Sequence, residues 1–242
     1  MSGPDITVIL PAWGEAANLN LLLPEIRRTL ERIGVGWEML VVDGGSGDNT
    51  PDVCAKWGAR CVTQKEPGYG GALITGFEAA AGTYVATMDA DGSHSPALLE
   101  TMWPLRGPES VVIASRYAPG ARSDAEWFRK VLSFILNRTF RLVLGIPAFD
   151  ISSGYRLYPR RSVPAVIHSR QFDVVQEILA RQHYAGYRVR EIPLHYRPRR
   201  FGRSKARVIA FGKAYLRTLA RMLLLRISLP PAREAFSGEA DG

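Results

Sequence analysis

The first 116 residues alternate two kinds of segment, and that alternation limits the fold more than any other feature of the chain. Apolar, β-type runs at Ile6–Trp13, Glu38–Asp43, Arg60–Gln64, Tyr84–Asp91 and Ser110–Arg116 are separated by helical stretches. The clearest helix is Ala17–Ile33, where Leu19, Leu22, Leu23, Ile26, Leu30 and Ile33 recur at helical spacing. Thr50–Trp57 follows, with Pro51 suited to a first turn, then Gly71–Ala81 and Pro96–Trp103. Strands that are apolar along their length need cover on both faces, and strands joined through helices pair in parallel. The pattern predicts an α/β fold: a mostly parallel central sheet with helices on both faces.

Beyond residue 116 the pattern changes. Asp124–Leu144 reads as a helix carrying Val131, Leu132, Phe134, Ile135 and Leu136. Gly154–Tyr158 reads as a short strand and Asp173–Tyr184 as a helix. Val189–Tyr196 alternates as a strand does, and Pro193 marks it as an edge strand. Pro198–Ser204 is a basic, glycine-containing loop, Ala206–Leu225 a long helix, and residues 230–242 an expected disordered tail.

The 242 residues, 46% hydrophobic and 22% charged, exclude a disordered chain. Cys54 and Cys61 form no disulfide framework and lack metal-ligand spacing, which fits a reducing cytosol. Met-Ser-Gly-Pro-Asp at the start lacks the basic region of a signal peptide, and no apolar stretch is long enough to span a membrane. The net charge of +8 is uneven: residues 197–226 hold Arg197, Arg199, Arg200, Arg203, Lys205, Arg207, Lys213, Arg217, Arg221 and Arg226 with no carboxylate. Such a block favours an anionic partner: phosphate, a membrane surface or nucleic acid. Lys213, Arg217 and Arg221 form one stripe of the last helix, with Leu216, Leu219, Leu223 and Ile227 on another face. That helix either lies on a membrane or packs its apolar face on its own domain.

In an α/β sheet, ligands bind at the carboxyl ends of the strands. Four ends carry chemistry here. The first strand runs into Pro11-Ala12-Trp13-Gly14-Glu15, and the second ends in Asp43 with Asp48 close behind. The fourth gives Asp89-Ala90-Asp91 and the fifth Ser115-Arg116. In an extended chain Asp89 and Asp91 would point to one side, where two carboxylates repel unless a proton or cation sits between them. Their hard oxygens suit Mg²⁺ or Mn²⁺, although Asp-Gly-Ser is also an ordinary turn sequence. No G-x-G-x-x-G or Walker lysine motif exists, which weakens dinucleotide binding and P-loop ATP hydrolysis. Lys65–Gly71 either lets backbone approach a ligand or simply starts a helix. His94 and His168 are assigned no chemistry, and Trp103, Trp127 and Phe128 read as core or interface residues.

Taken together these motifs resemble the family 2 glycosyltransferases with a GT-A fold, and among them the polyprenol (dolichyl) phosphate mannose synthases of the actinobacterial type. Pro11–Asn18 resembles Pro-x-x-Asn-Glu-x-x-Asn, and Val42–Thr50 resembles Val-Asp-Asp-Gly-Ser-x-Asp-Gly-Thr. Met88–His94 matches Met-Asp-Ala-Asp-Gly-Ser-His, and Asp150–Arg156 resembles Asp-x-x-Ser/Ala-Gly-Tyr/Phe-Arg. Arg199–Lys205 matches Arg-x-x-Gly-x-Ser-Lys. The chain departs from the pattern at Gly14, at Gly44 and at Ser93, where many relatives have a metal-binding glutamine.

The resemblance implies an inverting transfer of a hexose from a nucleotide sugar, GDP-mannose above all, to polyprenyl monophosphate. It implies a divalent ion on Asp91 and Asp89, with Ser93 as the third candidate ligand. Donor contacts would come from Pro11, Ala12, Glu15, Asp43, Asp48, Ala90, Arg199 and Lys205. Arg116, Arg129 and Ser133 would hold the acceptor phosphate, since a planar guanidinium binds phosphate through two hydrogen bonds. The expected organisation is one catalytic domain over residues 1–229, with 124–144 facing a membrane and 206–226 as a basic helix. Its expected place is the cytoplasm, peripheral on the inner face of the cell membrane. Two rivals remain: a soluble GT-A enzyme using another nucleotide sugar and a small-molecule or glycan acceptor, and a nucleic-acid-binding protein. The acidic strand ends count against nucleic acid as a partner.

Overall fold

The computed structural model describes residues 3–124, 127–197, 201 and 208–228, with the side chains of 128–129, 208–214 and 227–228 outside the described set. The helices are α1 (Ala16–Ile33), α2 (Thr50–Trp57), α3 (Gly68–Ala79), α4 (Leu98–Met102), α5 (Trp127–Leu144), α6 (Val174–Tyr184) and α7 (Val208–Ser228). The main sheet contains β1 (Ile6–Ala12), β2 (Trp37–Asp43), β3 (Arg60–Thr63), β4 (Tyr84–Thr87), β5 (Ser110–Ser115), β7 (Arg156–Pro159) and β8 (Arg188–Pro193). Its order is β3-β2-β1-β4-β7-β5-β8. A second, two-stranded pair joins β6 (Arg122–Ser123) to β9 (His195–Tyr196).

The expected α/β architecture is present. Side chains alternate across the sheet as a pleated strand requires. Ile6, Val8 and Leu10 pack beneath α1, α2 and α4 with Leu19, Cys54 and Leu99. Ile9 and Val42 face the opposite layer, built on α3, α5, α6 and α7 with Leu73, Phe140, Ile178 and Met222. Fully buried Leu23 and Ile26 show what anchors α1; truncating either to alanine costs about 2–5 kcal/mol.

One strand pairing goes beyond the sequence reading, and three expectations need correction. Strand β7 lies inside the sheet and runs antiparallel to both β4 and β5, a pairing that local periodicity does not encode. Strand β4 stops at Thr87, so Asp89 and Asp91 lie in a turn and not on an extended chain. The turn closes locally, because Ser93 N donates to Asp91 Oδ1 at 2.9 Å. The segment Val189–Tyr196 is broken at Leu194: β8 pairs with β5 at the sheet edge, and β9 leaves for β6. In α7, Thr218 and Met222 are buried and Leu219 packs against the core while Leu216 and Leu223 are exposed, so the packed face follows the predicted leucine row only in part. Among the described residues no helix is long and apolar enough to cross a membrane.

Candidate active site

The carboxyl ends of β1 and β2 are in register, with Ala12 beside Asp43. Buried Ala12 and half-buried Pro11 form the floor of this end. Asp43 accepts from Ser46 N at 3.3 Å and from the Ser46 hydroxyl, whose oxygen in turn accepts from Gly14 N at 2.7 Å. Asp48 accepts from Ala16 N at 3.2 Å, Thr50 N at 3.1 Å and Thr50 Oγ1 at 2.7 Å. It thus caps the starts of α1 and α2 together and acts on this end through the loops it ties. Burial opposes its charge, but the hydrogen bonds from Thr50 and Ala16 together prevail and hold it below the usual carboxylate range.

Glu15 accepts from Asn18 Nδ2 at 2.6 Å, and the same amide donates to Phe201 O at 3.4 Å. Arg197 N donates to Ser93 O at 3.2 Å. The two described anchors of the basic loop therefore sit against the β1–α1 turn and the Asp89–His94 turn. Arg199 and Lys205 lie outside the described residues.

Asp89 and Asp91 come together in the turn after β4. Burial pushes the Asp89 carboxyl above the ordinary range, and Asp91 adds to the rise against the pull of His94, Tyr69 and Arg116. Tyr69 Oη donates to Asp89 Oδ1 at 3.0 Å. Ser93 Oγ is buried without a hydrogen-bond partner among the described residues. No group of three His, Cys, Asp or Glu side chains suited to a metal occurs among those residues. Two carboxylates and one orphaned hydroxyl are hard donors that fit Mg²⁺ or Mn²⁺, leaving positions for water or phosphate oxygens.

Arg116 sits differently. Its guanidinium donates to Asp150 Oδ2 and Oδ1, each at 2.8 Å, and to Ser152 Oγ at 2.7 Å. Burial works against both charges, yet each member favours the other's ionised form: Asp150 is held below, and Arg116 above, its ordinary range. Asn137 extends this network from α5, donating to Ser133 O at 2.8 Å and Ser152 Oγ at 3.1 Å and accepting from Ser152 N at 3.0 Å. Ser133 is thereby linked to Arg116 through Asn137 and Ser152. The Arg129 side chain lies outside the described set. A cleft of about 240 Å³ opens beside this network, between Tyr117, Phe134, Asn137, Arg138, Arg141 and Phe149. A larger cleft near Glu109 and His183 is lined by none of the predicted site residues.

Three features escaped the sequence reading. Tyr69 holds Asp89, Asn137 joins Ser133 to Ser152, and Asp150 pairs with Arg116. The available signals were Tyr69 between two glycines, a polar Asn137 one turn beyond Ser133, and Asp150 at the head of a motif that was quoted without a role for it. The glycines of residues 68–71 are needed for internal contact: a Cβ on Gly70 would lie 2.6 Å from Ser169 O. That decides the Lys65–Gly71 question in favour of a packed helix start.

A doubly covered sheet with acids at its carboxyl edge is the architecture of nucleotide-sugar transferases. The chain belongs to glycosyl transferase family 2, whose pattern matches residues 7–166. It is 32% identical over 205 residues to an uncharacterized glycosyltransferase of Mycobacterium tuberculosis, covering 85% of this chain and 91% of that protein. A Mycobacterium bovis glycosyltransferase shows the same 32% identity and coverage. Among solved structures it resembles glucosyl-3-phosphoglycerate synthase from Mycobacterium tuberculosis bound to Mn²⁺, UDP and glucosyl-3-phosphoglycerate. There the TM-score is 0.67 at 23% identity, over 94% of this chain and 81% of that one. The same enzyme with Mg²⁺ and UDP gives a TM-score of 0.68 at 23% identity, over 94% and 80%. This likeness establishes a GT-A-like fold, and the protein is a glycosyltransferase.

Proposed function

We propose that this glycosyltransferase moves a hexose from a nucleoside-diphosphate sugar with the help of Mg²⁺ or Mn²⁺. The observation that carries the reading is the Asp89–Asp91 pair, gathered in the turn after β4 at the carboxyl edge of the sheet beside the buried Ser93 hydroxyl. An acceptor oxygen forms a bond to the anomeric carbon while the bond to the diphosphate breaks, and the electron pair leaves with the diphosphate. Asp91 and Asp89, with the Ser93 hydroxyl, would hold a divalent ion, which would supply Lewis-acid stabilisation of that leaving charge. Asp43 and Glu15, together with Pro11, Ala12 and Ala90, bind the nucleoside. Asp48 fixes their loops, and Arg199 and Lys205 meet the diphosphate.

For donor and acceptor, the solved neighbours support a UDP-linked hexose and a water-soluble acceptor such as a phosphorylated hydroxy acid. Arg116, Arg129 and Ser133 are the residues proposed to receive an acceptor phosphate, with the neighbouring cleft taking the rest of the molecule. A second reading, from GDP-mannose to polyprenyl phosphate at a membrane surface, is favoured by one observation: Trp127, Val131, Leu132, Phe134 and Ile135 of α5 are all exposed. One experiment separates the two. Purified protein with Mn²⁺ is given labelled UDP-glucose or GDP-mannose, each with 3-phosphoglycerate or with polyprenyl phosphate in detergent. Label in the soluble product supports the first reading, and label in the lipid product the second. No transfer from any nucleotide sugar to any acceptor would overturn both.

A further inference from the structure

Tyr69 donates a hydrogen bond to Asp89, and its surroundings leave the hydroxyl little choice of position. Its ring stacks on Phe172, with centroids 4.5 Å apart and planes inclined by 12°. The hydroxyl lies 3.0 Å from Asp89 Oδ1. On the other side is Gly154: a Cβ there would stand 2.7 Å from Tyr69 Oη and 3.5 Å from Asp89 Oδ1. Gly154 is itself held in place, because its carbonyl accepts from Thr87 Oγ1 at 2.6 Å, at the end of β4. Phe172, Gly154 and the last residue of β4 together aim one phenol at one carboxylate oxygen. Burial, and then the charge of Asp89, keep that phenol protonated far beyond neutral pH, so it remains a donor.

A carboxylate that accepts a hydrogen bond at one oxygen presents the other to a cation, in a fixed orientation. We infer that Tyr69 is a positioning residue for the metal-binding carboxylate of Asp89, and that Gly154 is glycine to leave room for its hydroxyl. The inference rests on the proposed metal role of Asp91 and Asp89. Tyr69 touches neither donor nor acceptor in this scheme; it acts through Asp89.

The test is Mn²⁺ binding by the full chain in the presence of UDP or GDP, followed by electron paramagnetic resonance. Tyr69→Phe keeps the ring on Phe172 and removes the hydroxyl. Mn²⁺ binding should weaken roughly tenfold, the usual scale for losing a group that orients a ligand. Thermal unfolding without metal should stay near wild type, and the acceptor KM should hold while the Mn²⁺ concentration for half-maximal rate rises. Gly154→Ala, with Tyr69 intact, should weaken Mn²⁺ binding to a similar degree, and the double variant should be no worse than either. Asp91→Ala is the control. If Asp91→Ala retains wild-type Mn²⁺ binding, the metal reading fails and takes this inference with it. If Asp91→Ala loses Mn²⁺ while Tyr69→Phe keeps it unchanged, the inference alone is overturned.

Discussion

Asp89 and Asp150 are two carboxylates of one site, placed in opposite circumstances. Asp150 is fully buried, yet it holds a guanidinium through both oxygens and stays ionised. Asp89 has a phenol on one oxygen and a second carboxylate as neighbour, and burial drives it toward its neutral form. The first pair is a matched guanidinium and carboxylate, and it fixes Arg116 and the 150–154 loop. The second pair brings two carboxyl groups together in a turn, where the proposed divalent cation would offset their repulsion. Buried Arg156 reinforces the difference, since it donates to Ser153 O at 2.8 Å and Ile151 O at 2.6 Å and so rigidifies the same loop from beneath.

The comparison is broken most severely at Asp91. Asp91→Asn removes a ligand charge but no packing volume. Loss of several kcal/mol of leaving-group stabilisation lowers sugar transfer on the order of a thousandfold or more, with the fold intact by circular dichroism. Asp150→Ala acts on the other member. It strands the Arg116 charge against a buried void, so stability in urea unfolding should fall by about 3–5 kcal/mol. An active Asp91→Asn enzyme, or an Asp150→Ala variant as stable as wild type, would erase the distinction between the two carboxylates.

A pH titration sharpens it further. The Asp89 carboxyl is raised in the folded state, so its proton favours folding at low pH. That advantage is lost as pH rises from the usual carboxylate range through the raised value. Asp89→Asn lacks this titration. Without metal it should gain stability relative to wild type across that window and hold the gain above it. Mn²⁺ should reverse the order, because only wild type keeps both carboxylates. Asp150 has the opposite sign: its lowered folded value gives stability that is present at neutral pH and disappears as pH falls through that value.

Much of this was legible in the sequence because parallel strands announce themselves. Ile6–Ala12 and Trp37–Asp43 are mostly apolar, and the carboxyl ends follow once the order of segments is known. The acids at Asp43, Asp89 and Asp91 and the arginine at Arg116 were found for that reason. What was hidden depends on contacts between distant segments. The antiparallel placement of β7 brings Gly154 beside Tyr69, and no local pattern encodes a meeting across that separation. Asn137 was overlooked for a similar reason: on the helix it is one of several polar residues, beside Arg138 and Thr139, and only the fold shows it between Ser133 and Ser152. In α7, leucines on nearly every side made periodicity a poor guide to the packed face.

The smallest expected effect concerns α5, where the ordered polar network gives way to an apolar surface. Leu132 and Ile135 are 50% and 56% exposed, so Leu132→Ser with Ile135→Ser should change stability by no more than about 0.5 kcal/mol per site. Function is where the two readings part. With a water-soluble acceptor, the double variant should transfer sugar at the wild-type rate, because neither residue lines the cleft or joins the Arg116 network. With polyprenyl phosphate in anionic vesicles, it should lose both co-sedimentation and transfer while keeping its Mn²⁺ affinity. Wild-type transfer from the double variant in vesicles would remove the one observation that favours a lipid acceptor. The exposed face of α5 would then have no part in catalysis, and Arg116, Arg129 and Ser133 would be left to serve a water-soluble acceptor.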